Sequence, residues 1–254
     1  MSRIPVETSD RLARRGFMKL CAASAAAVGI APELLASTAP VKHYARVRLV
    51  HAGGQAVAAG ALPVGESLVF NYPYATTPCF LLNLGRALEG NLDLHTEAGD
   101  EYLWPGGVGP ASSIVAFSAI CAHKMSHPAK TVSFINYRHE DVSFRDHAQK
   151  IVKRDGVIFC CSEKSVYDPA RGARVLGGPA RQPLCAIVLE HDPADDALYA
   201  IGSRGGEMFE KFFATFTPRL QLEWGLSDVR APVTGSSTVL AIDEYSRTQM
   251  LCGG

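Results

Sequence analysis

Cys160-Cys161-Ser162-Glu163-Lys164-Ser165-Val166-Tyr167-Asp168-Pro169 decides how this chain is read, together with Cys121-Ala122-His123 upstream. Each stretch offers a thiol and, within three residues, a second donor: His123 in the first and Glu163 in the second. Thiolates suit soft metal centres, imidazole suits zinc, copper and iron, and carboxylate suits harder ions. A lone Cys-x-His is weak, because a buried thiol beside a surface imidazole arises by chance in many chains. The hydroxyls of Ser165 and Tyr167 just beyond Cys160 narrow the reading, since donors around a metal-bound sulfur tune the metal. An ordinary turn serine and a packed tyrosine are their plainer interpretation.

Farther on, Leu176-Gly177-Gly178-Pro179-Ala180-Arg181-Gln182-Pro183-Leu184 combines residues that permit close backbone approach with one that removes a donor and stiffens the chain. Alone it reads equally well as a turn between strands. In this order the pieces resemble the Rieske iron-sulfur proteins, whose loops read Cys-x-His and Cys-x-x-His, followed by a Ser-x-Tyr pair and a Gly-Pro-Ala proline loop. In a Rieske [2Fe-2S] centre two cysteines hold one iron and two histidines the other. The resemblance implies Cys121, His123 and Cys160 as ligands, with Glu163 where the second imidazole belongs. It also implies Ser165 and Tyr167 as donors to a bridging sulfide and a cysteine sulfur, and Pro179 as part of a cover over the cluster. It spans roughly residues 60 to 205.

The departures are specific. Rieske proteins of cytochrome bc complexes join their two loops by an extra disulfide, and the matching positions here are Ser126 and Ser162. Disulfide-free Rieske domains exist among ring-hydroxylating oxygenases and their ferredoxins, so this double replacement leaves a cluster possible. Cys161 is then a third thiolate ligand, a structural thiol or half of another bridge. Between His123 and Cys160 lie 36 residues, longer than is usual in the family. Doubling a loop costs only about 0.6 kcal/mol, so length does not veto the site. His139 and His147 in that insert are candidate replacement ligands, with solvated loop residues as the ordinary alternative. Ferric iron accepts a carboxylate, so a centre held by two cysteines, one histidine and Glu163 is chemically reasonable, at a lower potential because an anion replaces a neutral ring. Glu163 also lacks the imidazole N–H through which bc-type members bind quinol.

Near the N-terminus, Arg14-Arg15-Gly16-Phe17-Met18-Lys19 precedes an apolar run from Leu20. This looks like a twin-arginine export signal, a route for proteins folded around cofactors before export. From Leu20 to Pro32 the run is about 13 residues, nearer a signal core than the ~20 that span a bilayer. Ser37-Thr38-Ala39 is a possible cleavage site. The expected location is the periplasm or the periplasmic face of the inner membrane, with membrane association through the N-terminus if the signal is retained.

With 254 residues, 47% hydrophobic and zero formal charge, the chain holds one globular domain with appendages, and the balanced charge argues against nucleic acid. Short runs rich in β-branched and aromatic residues, separated by Gly, Pro and Asp, fall at 46–51, 67–72, 79–84, 114–118, 131–137, 155–160, 185–190 and 197–202. They predict an all-β fold, an antiparallel sandwich or barrel. The resemblance adds an inserted cluster-binding subdomain near 118–184. The expected organisation is a signal or anchor at 1–39, a Rieske-like domain at 40–205 and an extension at 206–254. In the extension four phenylalanines fall between positions 209 and 216, and they need a surface to cover, its own domain first or a neighbouring subunit.

No nucleophile-base pair is recognisable and no catalytic residue is assigned. The expected function is a periplasmic electron-transfer protein or subunit of an oxidoreductase complex, carrying an atypical [2Fe-2S] cluster. Its partners would be a cytochrome or a periplasmic oxidoreductase. The alternative is a Rieske-fold subunit that has lost its cluster and serves assembly, and a third reading is a mononuclear zinc or iron site on Cys121, His123, Cys160 and Glu163.

Overall fold

The computed structural model describes residues 41–253. Arg14, Arg15 and Ser37-Thr38-Ala39 lie outside them. In chain order the elements begin with β1 (Lys42–Val50), β2 (Leu68–Asn71), β3 (Pro78–Asn83), β4 (Leu92–His95), β5 (Glu101–Trp104) and β6 (Ile114–Ser118). Then follow β7 (Ile135–Arg138), β8 (Val142–Arg145), β9 (Ile151–Arg154), β10 (Val157–Cys160), β11 (Ser165–Asp168) and β12 (Arg174–Gly177). The chain continues through β13 (Ala186–Asp192), β14 (Ala197–Arg204), α1 (Phe209–Trp224), β15 (Gly235–Thr238), β16 (Leu240–Ala241) and the short helix α2 (Ile242–Tyr245).

The all-β expectation holds, and an eight-stranded sheet in the order β15-β1-β14-β13-β6-β3-β2-β16 forms the base. Its two edge strands are successive pieces of one segment. Gly235–Thr238 pairs with β1, and only Val239 separates it from Leu240–Ala241, which pairs with β2. That segment nearly closes the sheet into a barrel, so neither long edge is left as a template for another chain. Alternation along the strands serves two buried layers. Cys79 and Leu81 of β3 and Ile114 and Ala116 of β6 pack with Val47, Leu49 and Leu198 inside the barrel. Phe80, Leu82, Val115 and Phe117 point the other way, into a layer that also holds Cys121, Ile158, Cys160 and Tyr167. Strands buried on both faces read as continuous apolar runs, which is why they were legible.

The second layer is roofed by a four-stranded antiparallel sheet, β12-β11-β10-β7, inserted between β6 and β13. The long insert between the ligand loops includes the β8–β9 hairpin. The polar run Arg138-His139-Glu140-Asp141 is the connection from β7 into it. The ring of His139 lies against Gly65, where an added Cβ would stand 2.8 Å from it. His147 Nε2 lies 3.3 Å from the Val175 carbonyl. Each of the two proposed replacement ligands thus packs against something else.

α1 buries its own phenylalanines. Phe209, Phe212 and Phe213, spaced i, i+3 and i+4, pack with Leu220, Val229 and Ile120, and Met125 lies against the same cluster. Gly225 ends the helix in the left-handed conformation, its N–H returning to the Gln221 carbonyl. Among the described residues no helix is long and apolar enough to cross a membrane.

Candidate metal centre

Both ligand loops are tight turns of one design. The first leaves β6 through Ala119 and Ile120 and turns from Cys121, whose carbonyl accepts the Met125 N–H at 3.0 Å, with Met125 at φ 59°. The second is the connection of the β10–β11 hairpin, in which Cys160 faces Ser165. There the Cys160 carbonyl accepts the Lys164 N–H at 2.8 Å, with Lys164 at φ 63°. A left-handed residue at the fifth position lets each turn close within five residues; Cys160 is the last residue of β10 and Cys121 lies three residues beyond β6. Both thiols are fully buried.

The two sulfurs meet and are surrounded by donors. Cys121 hydrogen-bonds with Cys160, Tyr167 and the amides of His123 and Lys124, which bring it down to about 6 against the opposing effect of burial. Cys160, as the thiol that donates a hydrogen bond to Cys121, is pushed up, while the Glu163 amide and the Ser126 hydroxyl pull it down. Burial and the neighbouring Cys121 keep the Tyr167 hydroxyl protonated, and it lies 3.2 Å from Cys121 Sγ. Tyr167 also accepts the Ala122 N–H at 3.2 Å. The thiolate is the ligand form of cysteine, and donors of this kind favour it.

The remaining proposed residues fall around this pair. His123 is half-buried, and its Nδ1 is buried with no hydrogen-bond partner. Leaving such an atom unsatisfied costs about 1–3 kcal/mol, which a metal bond would recover. Glu163 Oε1 instead pairs with Lys124 Nζ of the first loop at 3.3 Å. Ser165 Oγ accepts the Ala180 N–H at 3.2 Å, tying the proline loop to the second turn. Gly178 has φ 83°, and a Cβ there would lie 2.2 Å from the Lys164 carbonyl, so the cover reaches its position only as glycine. Pro179 is exposed and, with Gly178, Glu163, Lys164 and Arg145, borders a cavity of 430 Å³.

The sulfur half of a [2Fe-2S] site therefore fits, and His123 supplies one free imidazole nitrogen. The fourth position, Glu163, has its carboxylate engaged by Lys124. Among the described residues no three His, Cys, Asp or Glu side chains converge to hold a single ion. A two-iron centre divides its ligands between two metals. Cys161 is a disulfide partner of Cys252, so the thiolate-ligand and free structural-thiol readings fall. Sequence reasoning missed Lys124 and Cys252; distance along the chain hid the second, and no local pattern marked the first.

No family model matches the chain. Among curated proteins it is similar to the iodate reductase subunit IdrB of Denitromonas iodatirespirans, at 31% identity over 144 residues. The match covers 57% of this chain and 58% of that protein. Among solved structures, the soluble domain of the Rieske protein II (soxF) from Sulfolobus acidocaldarius aligns with 65% of this chain and 82% of its own, at 21% identity and a TM-score of 0.42.

Proposed function

We propose that this Rieske-type chain is an electron-transfer subunit of an oxidoreductase, acting in the periplasm or at its membrane face after twin-arginine export. Its [2Fe-2S] centre is held by Cys121 and Cys160 on one iron and by His123 and Glu163 on the other. The observation that carries the reading is the juxtaposed thiol pair ringed by the Tyr167 and Ser126 hydroxyls and three amides, beside a buried, unpartnered His123 Nδ1. A cluster so held supplies one-electron transfer. The chain's own residues bury the two sulfurs, direct donors at them and cover them with the Gly178-Pro179 segment. Glu163 would hold iron in place of its ion pair with Lys124. The relative's description as a subunit supports an oxidoreductase partner; the proposal adds a cytochrome as electron acceptor.

The Lys124–Glu163 ion pair favours one second reading, a chain of this fold that has lost its cluster and serves assembly of a redox complex. Iron and acid-labile sulfide analysis of protein isolated anaerobically from iron-supplied cells separates the two. The expected result is two iron and two sulfide per chain with a rhombic EPR signal on reduction, abolished by Cys121→Ser or Cys160→Ser. Protein lacking both elements would leave the assembly role.

A further inference from the structure

The second ligand turn is fastened at Cys161 to the end of the chain. Cys161 and Cys252 form a disulfide with Cα atoms 5.8 Å apart, across 91 residues of sequence. The segment leading to it starts on the barrel, where the Tyr245 hydroxyl donates to Asn71 Oδ1 at 2.8 Å. From there it runs beside the small sheet. The Ser133 N–H donates to the Thr248 carbonyl at 2.8 Å and the Met250 N–H to the Ser133 carbonyl at 2.8 Å. Asn136 Nδ2 donates to the Met250 carbonyl at 3.1 Å and Arg138 to the Cys252 carbonyl at 2.7 Å. Finally the Ser143 N–H donates to the Gly253 carbonyl at 2.6 Å. Gly253 has φ 82°, and a Cβ there would stand 2.7 Å from both the Phe159 ring and the Ser143 carbonyl. β7 is the edge of the small sheet, so this segment covers an edge that would otherwise be exposed.

We propose that residues 246–253, closed by the Cys161–Cys252 bond, form a covalent strap that positions the second ligand turn on the barrel. Cys252 is thereby a positioning residue for Cys160 and Glu163. The inference rests on reading these turns as cluster ligands. Ser126 and Ser162 stand where a bridge between the two loops would be made, so that bridge is chemically impossible here. Between the turns there remain the thiol contact, the Ser126 hydroxyl and the Lys124–Glu163 pair, whose lysine side chain is 65% exposed. Such an ion pair restrains little. A covalent bond at Cys161, the residue beside Cys160, ties the same turn to the segment that ends at Gly253. In closing it, each thiol gives up one proton and one electron. The two electrons reduce the disulfide of a protein or small-molecule oxidant to its dithiol.

The test compares full-length wild type, Cys252→Ser and the Cys161→Ser/Cys252→Ser double variant. In protein loaded anaerobically with iron and sulfide, Cys252→Ser is expected to lose its cluster to a chelator about tenfold faster, the low end for outer partners of a metal site. Its reduced EPR spectrum should shift and broaden, and the double variant should match the single, because either removes one bond. In metal-free protein, amide exchange at residues 161–164 should rise in Cys252→Ser. Where the variant does not fold, folded wild type reduced by a phosphine and alkylated at two thiols provides the same comparison. Faster exchange in protein that takes up no iron in any form keeps the strap and overturns the cluster. Exchange, chelator half-life and EPR line shape all equal to wild type overturn the strap.

Discussion

Glu163 is the residue whose replacement tells most about the centre. Its carboxylate now faces Lys124, and each turn is closed by a backbone hydrogen bond that does not involve either side chain, so substitution at Glu163 changes charge with little change of local path. Glu163→His should raise the potential of a bound cluster, because a neutral ring replaces an anion, and ligand charge is one of the levers on iron-sulfur potentials. An EPR-monitored redox titration measures this; an unchanged potential means that Glu163 is not bound to iron. Gly178 makes a purely steric counterpart. Gly178→Ala forces a Cβ against the Lys164 carbonyl at positive φ, and strain of that kind costs about 1–3 kcal/mol. Denaturant unfolding should show that loss, and a variant as stable as wild type would mean that the cover does not hold the turn so closely.

At the level of elements, the C-terminal extension supports both turns. α1 backs the first: His127, four residues beyond His123, packs edge-on against Phe212 at 4.8 Å and Phe216 at 5.0 Å, and its Nδ1 meets the Met125 carbonyl. Burial lowers the His127 pKa, so the ring stays neutral within this apolar contact. Phe212→Ala removes the centre of the packing and should cost about 3–5 kcal/mol. Thermal unfolding checks this, and a loss below about 1 kcal/mol, the level of an ordinary substitution, would show that α1 is only loosely seated. The self-packing of this helix was legible because four phenylalanines at helical spacing need a core. Six strands of the barrel, β1, β2, β3, β6, β13 and β14, were legible too, as runs rich in β-branched and aromatic residues, whereas β15 and β16 fall in a stretch with no such pattern. The four-residue strands β4, β5, β8, β9, β11 and β12 were not legible, each being short with one or two charged residues among its four, so that their pairing partners and not their composition define them. Cys121, Cys160 and Tyr167 were singled out through the family resemblance that the order of the motifs carries, and the fold brings the three side chains together. The Cys161–Cys252 bond was not readable, since only the folded path of the last residues brings them together.

For the whole molecule, compartment and redox state must agree. The buried thiol pair needs to stay reduced to serve as ligands, yet Cys161, the next residue, is oxidised with Cys252. Disulfides persist in oxidising compartments and are rare in the cytoplasm. A chain exported empty would carry the facing Cys121 and Cys160 thiols unprotected into an oxidising compartment, where they could pair with each other. Loading iron and sulfide first would protect Cys121 and Cys160, leaving Cys161 and Cys252 as the pair available afterwards. The Arg14-Arg15-Gly16-Phe17-Met18-Lys19 motif fits that order, because the twin-arginine route carries proteins already folded around their cofactors. Replacing Arg14 and Arg15 with Lys should therefore retain the protein inside the cell with Cys161 and Cys252 reduced, while the exported wild type holds the bond. Cell fractionation followed by thiol alkylation and mass measurement reads both properties at once. Unchanged export of the double-lysine variant would rule out this route, and a disulfide formed in retained protein would separate the closing of the strap from export.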